Sequence, residues 1–346
     1  MKSYFKIMNR KIGENFPPLI IVELGINHNG SLDKAISLVD LAIKNGAEVI
    51  KHQTHVLDDE MSEKAKIIKP GNASKSIYEV IKKNSLNYED EKKLANYVKK
   101  KKKIFISTPF SRKAVQRLIK FNVPAFKIGS GECNNYPFID YVCKFKKPII
   151  LSTGMNSIKT IKPSVDIIRK YNIPFALLHC TNIYPTPPKL VRLNGLSELK
   201  KNFPDAVIGL SDHTETIHTA FGAIALGASI IEKHFTKSKK DKGPDIKASI
   251  DPDNLRELIK GTKIIFQARD GKKKPLKEEK STINFAFASV AILRNIKKGE
   301  KLSEENIFPI RPGNGYFKPD SYKYLLGKKS SKNLFKGNQL KKNDVI

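Results

Sequence analysis

Two short segments carry side chains able to hold a divalent cation beside a phosphate. They are Gly209-Leu-Ser-Asp-His-Thr-Glu215 and Ile230-Ile-Glu-Lys-His-Phe-Thr236. Each continues an apolar run, Val207 to Leu210 and Ser229 to Ile231, and ends in Ser211 and His213 or in His234. Neutral imidazole suits transition metals better than calcium, so His213 and His234 on neighbouring strand ends form a candidate metal pair. Other apolar runs end the same way. Glu23 and Asn27-His-Asn-Gly30 follow one; Lys51-His-Gln-Thr-His55, Ser107 with Thr108, and Lys127-Ile-Gly-Ser-Gly-Glu132 follow others. Ser152-Thr-Gly154 and His179-Cys-Thr-Asn182 with Tyr184 complete the set. Two lysines, several hydroxyls and glycine-rich turns make a phosphate cradle. Carboxylates and imidazoles add acid–base and metal-binding capacity. His28, His52, His55 and His179 are expected to support this group structurally, and His218, in a helical pattern, to lie on the surface.

Residues at strand ends meet only if the strands converge. From residue 19 to about 267 apolar runs alternate with amphipathic segments: Leu19 to Val22, Glu48 to Ile50, Ile104 to Ile106, Ala125 to Ile128, Pro148 to Leu151, Phe175 to Leu178, Val207 to Leu210 and Ser229 to Ile231. The intervening Ser31 to Gly46 has a serine cap, helical periodicity and a glycine stop. Eight such units predict a closed (β/α)8 TIM barrel, whose strand C-termini share one mouth. The charged stretch Asp270 to Ser281 reads as a linker. Beyond it, Asn295 to Ile307 and Asn333 to Val345 share Asn, Lys, Gly and Leu at equivalent places, predicting a small β-rich module with two copies of strand, turn and short helix. The expected organisation is a barrel at 1–269, a linker at 270–284 and a second domain at 285–346. Residues 1–18 carry no usable motif.

The net charge of +30 raises a nucleic-acid reading, but only nine of the 64 basic residues are Arg and the lysines are spread along most helical patterns. Base and bidentate phosphate recognition favour Arg, so solvated helix faces are the better account and no nucleic-acid partner is expected. Cys133, Cys143 and Cys180 form no CxxC pair, and reduced, packed thiols are expected. No apolar run is long enough to span a bilayer, and Met1-Lys-Ser-Tyr-Phe-Lys6 lacks a signal-peptide core, so a cytoplasmic location without membrane association is expected. The residues by themselves point to a metal-assisted barrel enzyme acting on a phosphorylated metabolite.

The same segments resemble the bacterial N-acetylneuraminate (sialic acid) synthase family. The resemblance runs through Gly25-Ile-Asn-His-Asn-Gly-Ser31, Lys51-His-Gln-Thr-His55, Asp59-Glu-Met-Ser62, Pro70-Gly-Asn72, Ser107-Thr-Pro-Phe-Ser111 and Lys127-Ile-Gly-Ser-Gly-Glu-Cys-Asn-Asn-Tyr-Pro137. It continues through Leu151-Ser-Thr-Gly-Met-Asn156, Thr181-Asn-Ile-Tyr-Pro-Thr-Pro187, Gly209 to Thr214, Glu232 to Thr236 and Gly243-Pro-Asp245. The C-terminal Phe285-Ala-Phe-Ala-Ser289 and Ile310-Arg-Pro-Gly-Asn-Gly315 resemble the family's antifreeze-like (SAF, β-clip) domain.

The resemblance implies a transferase that condenses phosphoenolpyruvate with N-acetylmannosamine and water, giving N-acetylneuraminate and phosphate. A legionaminate or pseudaminate synthase, using a diacetamido-trideoxy sugar with the same chemistry, is the alternative. By motif, Lys51, Thr108, Lys127, Ser130, Ser152 and Ser211 would hold phosphoenolpyruvate. His213 and His234 would ligate Mn2+ or another divalent cation such as Mg2+ or Co2+. Glu23, Gln53, Asn72, Asn182, Tyr184 and Asp245 would bind the sugar, and Glu132 would orient the water, with Glu23, His213 and His234 counted alongside it as catalytic. Arg311 and Phe285 would reach the sugar from the partner chain of a domain-swapped homodimer.

Overall fold

A computed structural model describes residues 3–69 and 74–346; Asn72 lies outside the described residues. The chain forms two compact units, residues 1–270 and 271–346. In the first, eight parallel strands close into a barrel. In chain order the strands of this unit are β1 (Tyr4–Ile7), β2 (Arg10–Gly13), β3 (Leu19–Glu23), β4 (Val49–Thr54), β5 (Ile104–Pro109), β6 (Phe126–Ile128), β7 (Ile149–Ser152), β8 (Phe175–Cys180), β9 (Val207–Asp212) and β10 (Ile230–His234). The barrel runs from β3 to β10 in sequence order, and β10 closes it by pairing with β3. Each apolar run read from the sequence matches one of the barrel strands, four of the runs beginning one residue before their strand. The observed β4 and β9 extend past their runs because polar residues such as Lys51, Gln53 and Ser211 keep ladder pairing.

Strand alternation sorts these residues into layers. Leu19, Ile21, Val49, Ile106, Ala125, Ile150, Ala176, Leu178, Val207 and Ile230 pack together inside the barrel. Their neighbours in sequence, among them Ile20, Ile50, Phe105, Leu177 and Ile231, face outward under the helices. Helix ends follow local sequence: Ser31 caps Leu32–Lys44 by accepting from Lys34 N, and Asp251 caps Pro252–Ala268 by accepting from Asn254 N.

The motif-free N-terminus is a hairpin. β1 and β2 pair antiparallel, with Phe5 opposite Ile12, and Phe5, Ile7 and Ile12 join the inner apolar layer. The alternation in Tyr-Phe-Lys-Ile was the available signal. A stopper at one end of the barrel keeps water from the inner layer.

In the second unit, β11 (Ser289–Ile292) and β12 (Ile307–Ile310) pair antiparallel over a core of Val290, Ile292, Ile296, Leu302, Ile307, Leu325, Leu334 and Leu340. The two repeat copies embrace. Ile296 and Leu334 exchange backbone hydrogen bonds, Lys298 N donates to Asn333 Oδ1, and Lys336 N donates to Asn295 Oδ1. The expected short helix is present in the second copy as the single 3-10 turn Lys342–Asp344, whose start is closed by Lys341 N donating to Asp344 Oδ2, whereas the first copy has only a turn, closed by Ser303 N donating to Asn306 Oδ1. The spacing between Leu302 and Ile307, both buried, leaves room for nothing longer. The supposed linker carries the helix Lys280–Ala286. Among the described residues no helix is long and apolar enough to cross a membrane.

Candidate active site

The inner faces of the strands change from apolar to charged toward their C-termini. Glu23 continues the Leu19–Ile21 face, Lys51 and Gln53 continue Val49, Thr108 continues Ile106, and Glu232 and His234 continue Ile230. The register brings them together: His234 lies opposite Glu23, Glu23 opposite Lys51, Gln53 opposite Thr108, and Ser211 opposite both Cys180 and Glu232.

The charged centre is buried. The Lys51 ammonium abuts Glu23 Oε2 and donates to Thr108 Oγ1 at 3.0 Å. Lys127 Nζ donates to Ser152 Oγ at 2.7 Å and lies 3.6 Å from Glu232 Oε1, which accepts from Ser211 Oγ at 3.0 Å. Burial pushes the Lys51 ammonium down to about 7; the Glu232 carboxylate opposes that shift and Lys127 adds to it. Burial alone would raise Glu232, but Lys127 and Lys51, with the Ser211 hydrogen bond, outweigh it and hold the carboxyl below its usual range. Ser130, in the turn after β6, accepts from Gly154 N at 3.0 Å. A side chain at Gly154 would collide with Asn182 Oδ1 and crowd Ser130 Oγ, so this close approach requires glycine.

An aromatic cluster stands beside the charged centre. Tyr184 stacks on His213 with ring centroids 4.1 Å apart and meets His234 edge-on at 5.7 Å. The two imidazole centroids are 5.5 Å apart. His213 Nδ1 lies 2.9 Å from Thr181 O; a carbonyl only accepts, so Nδ1 carries the proton and Nε2 presents its lone pair, now toward Tyr184 OH. His234 Nδ1 is buried with no hydrogen-bond partner, 3.6 Å from Asp245 Oδ2. Burial, with His213 adding to it, pushes His234 well below the usual imidazole value. A side chain at Gly25 would stand 2.9 Å from His234 Nδ1 and 3.0 Å from Asp245 Oδ2, so the glycine keeps that space clear. One oriented imidazole and one orphaned imidazole nitrogen fit a divalent cation. Among the described residues no group of three or more His, Cys, Asp or Glu is arranged to hold a metal.

Outward-facing residues lock the same strand ends. Lys233 Nζ donates to Asp212 Oδ2 at 3.1 Å, tying β10 to β9 one residue before the two histidines, and Thr219 Oγ1, on the helix His218–Ala225, donates to the same oxygen at 2.8 Å. Under β4 and β5, Glu91 accepts from Thr54 Oγ1 and from Arg117 Nη1, the latter at 2.9 Å, and His52 Nδ1 lies 3.3 Å away. Ser107, expected at the mouth, faces outward instead and bonds Thr54 Oγ1 at 2.7 Å. His28 stacks on His52, and burial pushes it down to about 3. His179 also points outward, 2.6 Å from Val191 O.

The remaining expected residues lie farther out. Gln53 Oε1 is 3.3 Å from His55 Nε2 at the rim. Glu132 is half-buried and accepts from Asn135 Nδ2 at 2.7 Å; burial raises it. Phe285 and Arg311 are exposed in the second unit. Glu232 and Cys180 belong to the centre although neither had been singled out. Cys180 Sγ lies 3.2 Å from Asn182 Oδ1 and 3.8 Å from His213 Nδ1. Counting back by two from His234 and Asn182 would have found both.

Known proteins share this architecture. The NeuB family model matches residues 38–274 and the SAF domain residues 287–346. The N,N'-diacetyllegionaminic acid synthase of Campylobacter jejuni is 39% identical over 91% of this chain and 96% of its own length. The human N-acetylneuraminate-9-phosphate synthase is 35% identical over 75% of this chain and 73% of its own. Among solved structures, the N-acetylneuraminic acid (sialic acid) synthetase of Leptospira borgpetersenii superposes with a TM-score of 0.75 at 30% identity, covering 82% of this chain and 96% of that one.

The Gly154 approach yields a direct test. Gly154→Ala is expected to weaken the binding of inorganic phosphate, used as a probe of the lysine centre, on the order of tenfold by displacing Ser130 and Asn182, with little change in thermal midpoint. Calorimetric titration reads the affinity, and an unchanged value would show that the turn gives way freely.

Proposed function

The chain belongs to the NeuB family, and from that premise we propose that it joins phosphoenolpyruvate, an open-chain N-acetylated amino sugar and water into a nine-carbon sugar acid and phosphate. The observation that carries this reading is the buried pair Lys51 and Lys127, each bonded to a hydroxyl, Thr108 and Ser152, at the centre of the barrel. Each ammonium has a carboxylate beside it, Glu23 or Glu232, and a buried cluster of charged and hydroxyl groups at a barrel mouth is the kind of site that takes up an anion.

In this reading Lys51, Thr108, Lys127, Ser130, Ser152 and Ser211 bind the phosphate and carboxylate of phosphoenolpyruvate. Tyr184, Asp245, Asn182, Gln53 and Glu23 orient the sugar aldehyde above it. His213 and His234 would hold the divalent cation, which when bound polarises the aldehyde. The enol carbon forms a bond to the aldehyde carbon, whose oxygen takes a proton. The positive charge left at the adjacent carbon of phosphoenolpyruvate is met by water, and the phosphate oxygen bond to that carbon then breaks. Glu132, raised by burial, is the carboxyl proposed to orient the water.

For the acceptor, a 2,4-diacetamido-2,4,6-trideoxy hexose is favoured over N-acetylmannosamine. The Campylobacter legionaminic acid synthase supports this, since it matches the barrel and the second unit together, whereas the human synthase matches a shorter share. N-acetylmannosamine is the second reading, supported by the likeness to the Leptospira structure. Arg311 and Phe285 are proposed to complete the sugar pocket from a second copy of the chain.

Phosphate release from phosphoenolpyruvate and Mn2+ is expected with the diacetamido sugar and to stop with EDTA. Release with N-acetylmannosamine alone would select the second reading, and silence with both would end the proposal. The pH profile carries a second expectation. Lys51 is charged below about 7 in the free protein and loses its proton as pH rises, so kcat/KM for phosphoenolpyruvate should fall on the alkaline side. A profile flat to pH 9 would remove Lys51 from anion binding. Mixing inactive His213→Ala and Arg311→Ala chains should restore part of the activity by assembling some intact sites; no recovery would count against the shared pocket.

A further inference from the structure

We infer that Asn27 is a positioning residue for the acceptor half of the site, acting through Ser249 on Asp245 and through Phe235 on His234. Its amide donates from Nδ2 to Phe235 O at 2.9 Å and to Ser249 Oγ at 2.9 Å. A carbonyl cannot donate, so the contact with Phe235 O fixes the orientation of the amide. Ser249 Oγ in turn donates to Asp245 O at 2.7 Å. One side chain on the loop after β3 thereby grips the residue next to His234 and, one hydroxyl further on, the backbone of Asp245.

Backbone bonds hold much of this segment, and Ala248 N donates to Asp245 O at 3.1 Å, but Asn27 is the side chain that ties Phe235 to Ser249. Phe235 N donates to Glu23 O at 2.8 Å, so Phe235 is held by the β3 strand end on one side and by Asn27 on the other. Ile250 N donates to His234 O at 2.8 Å and Thr236 N to Ile250 O at 3.0 Å, which closes the base of the segment between them. From Lys237 to Gly243 that segment is largely exposed and includes Lys237, Lys239, Lys240 and Lys242. Asp245 sits where this exposed stretch returns to the barrel. Asn27 and Ser249 are buried, and their hydrogen bonds are sheltered from water. The side chains of Lys51, Lys127, Ser152 and Ser211, by contrast, stand on barrel strands and hydrogen-bond to Thr108, to each other or to Glu232 rather than to Asn27 or Ser249. The relay therefore sets acceptor affinity and leaves phosphoenolpyruvate affinity to the strands.

This inference rests on the proposed condensation for its kinetic readout, and a proteolytic readout stands apart from it. Asn27→Ala is expected to raise the acceptor-sugar KM about tenfold, the scale of one or two buried hydrogen bonds, while the phosphoenolpyruvate KM changes less than about twofold. Ser249→Ala should move the same parameter, and the double variant should be no worse than Asn27→Ala, because both act in one relay. Trypsin should cut between Lys237 and Lys242 several-fold faster in each variant, as the segment opens more often. Parallel rises in both KM values, additive losses in the double variant, or unchanged cleavage would overturn the inference. Should Asn27→Ala fail to fold, Ser249→Ala, which removes one hydroxyl, carries the same two readouts. Should the unaltered protein be silent with every sugar, the condensation falls and the cleavage rates alone decide the relay.

Discussion

Two ammonium groups and two carboxylates lie buried together at the centre of the barrel, and their mutual neutralisation is what the surrounding structure has to protect. Removing one ion from water costs several kcal/mol even after relaxation, so each must find its opposite at close range. Lys51 abuts Glu23, and Lys127 approaches Glu232, whose other oxygen has no hydrogen-bond partner. The apolar layer of Ile21, Ile106, Ile150 and Leu178 below them, sealed by Phe5, Ile7 and Ile12 of the hairpin, denies water a route from that end. Such a group is balanced when empty, two charges of each sign. A ligand carrying both phosphate and carboxylate would upset that balance, and the cation proposed at His213 and His234 would offset it.

The ladder that holds these charges also explains the outward networks. A strand that places Ser211 and His213 inward must send Asp212 outward, and β10 must likewise send Lys233 outward between Glu232 and His234. The two outward residues pair with each other. Thr54, Ser107 and Glu91 do the same under β4 and β5. Gln53, Thr108, Ser211, Glu232 and the two histidines are thus backed by an outward polar bond one residue away, whereas Glu23 and Lys127 stand between buried apolar neighbours. Rigid placement of this kind is what electrostatic binding of a polyanion demands.

Much of this was legible in the sequence because period two and a hydrophobic run are local signals. Leu19 to Val22 and Val207 to Leu210 announce strands, and the polar residues just past them announce the mouth. Lys51 and Lys127 stood out since lysine is rare at the end of a buried strand. Glu232 was quoted within a motif yet missed as a site residue, because its role depends on Lys127 and Ser211 from other strands, a tertiary fact. Ser107 was misplaced because adjacent Ser and Thr cannot both face the lumen, and type alone does not say which does. The hairpin escaped notice since four-residue strands give too few alternations to count. The first copy in the second unit has a turn where a short helix was expected for a related reason: burial of Leu302 and Ile307 fixes the path, and helix propensity over so few residues has little weight.

A division of labour follows from where the parts are anchored. The groups proposed to hold phosphoenolpyruvate are mostly strand residues, tied by ladder bonds on both sides, and such positions tolerate little drift. Those proposed to hold the acceptor, Asn182, Tyr184 and Asp245, lie on segments that leave the barrel, and segments of that kind vary more readily. A scaffold built this way can keep one donor and exchange the acceptor. The relatives bear the imprint of that separation, for synthases named for legionaminic acid and for N-acetylneuraminate-9-phosphate match the same barrel. On the proposed assignment, acceptor choice falls to side chains on the segments after β8 and β10, whose placement depends on hydrogen bonds such as those of Asn27, while the chemistry at the centre is left unchanged.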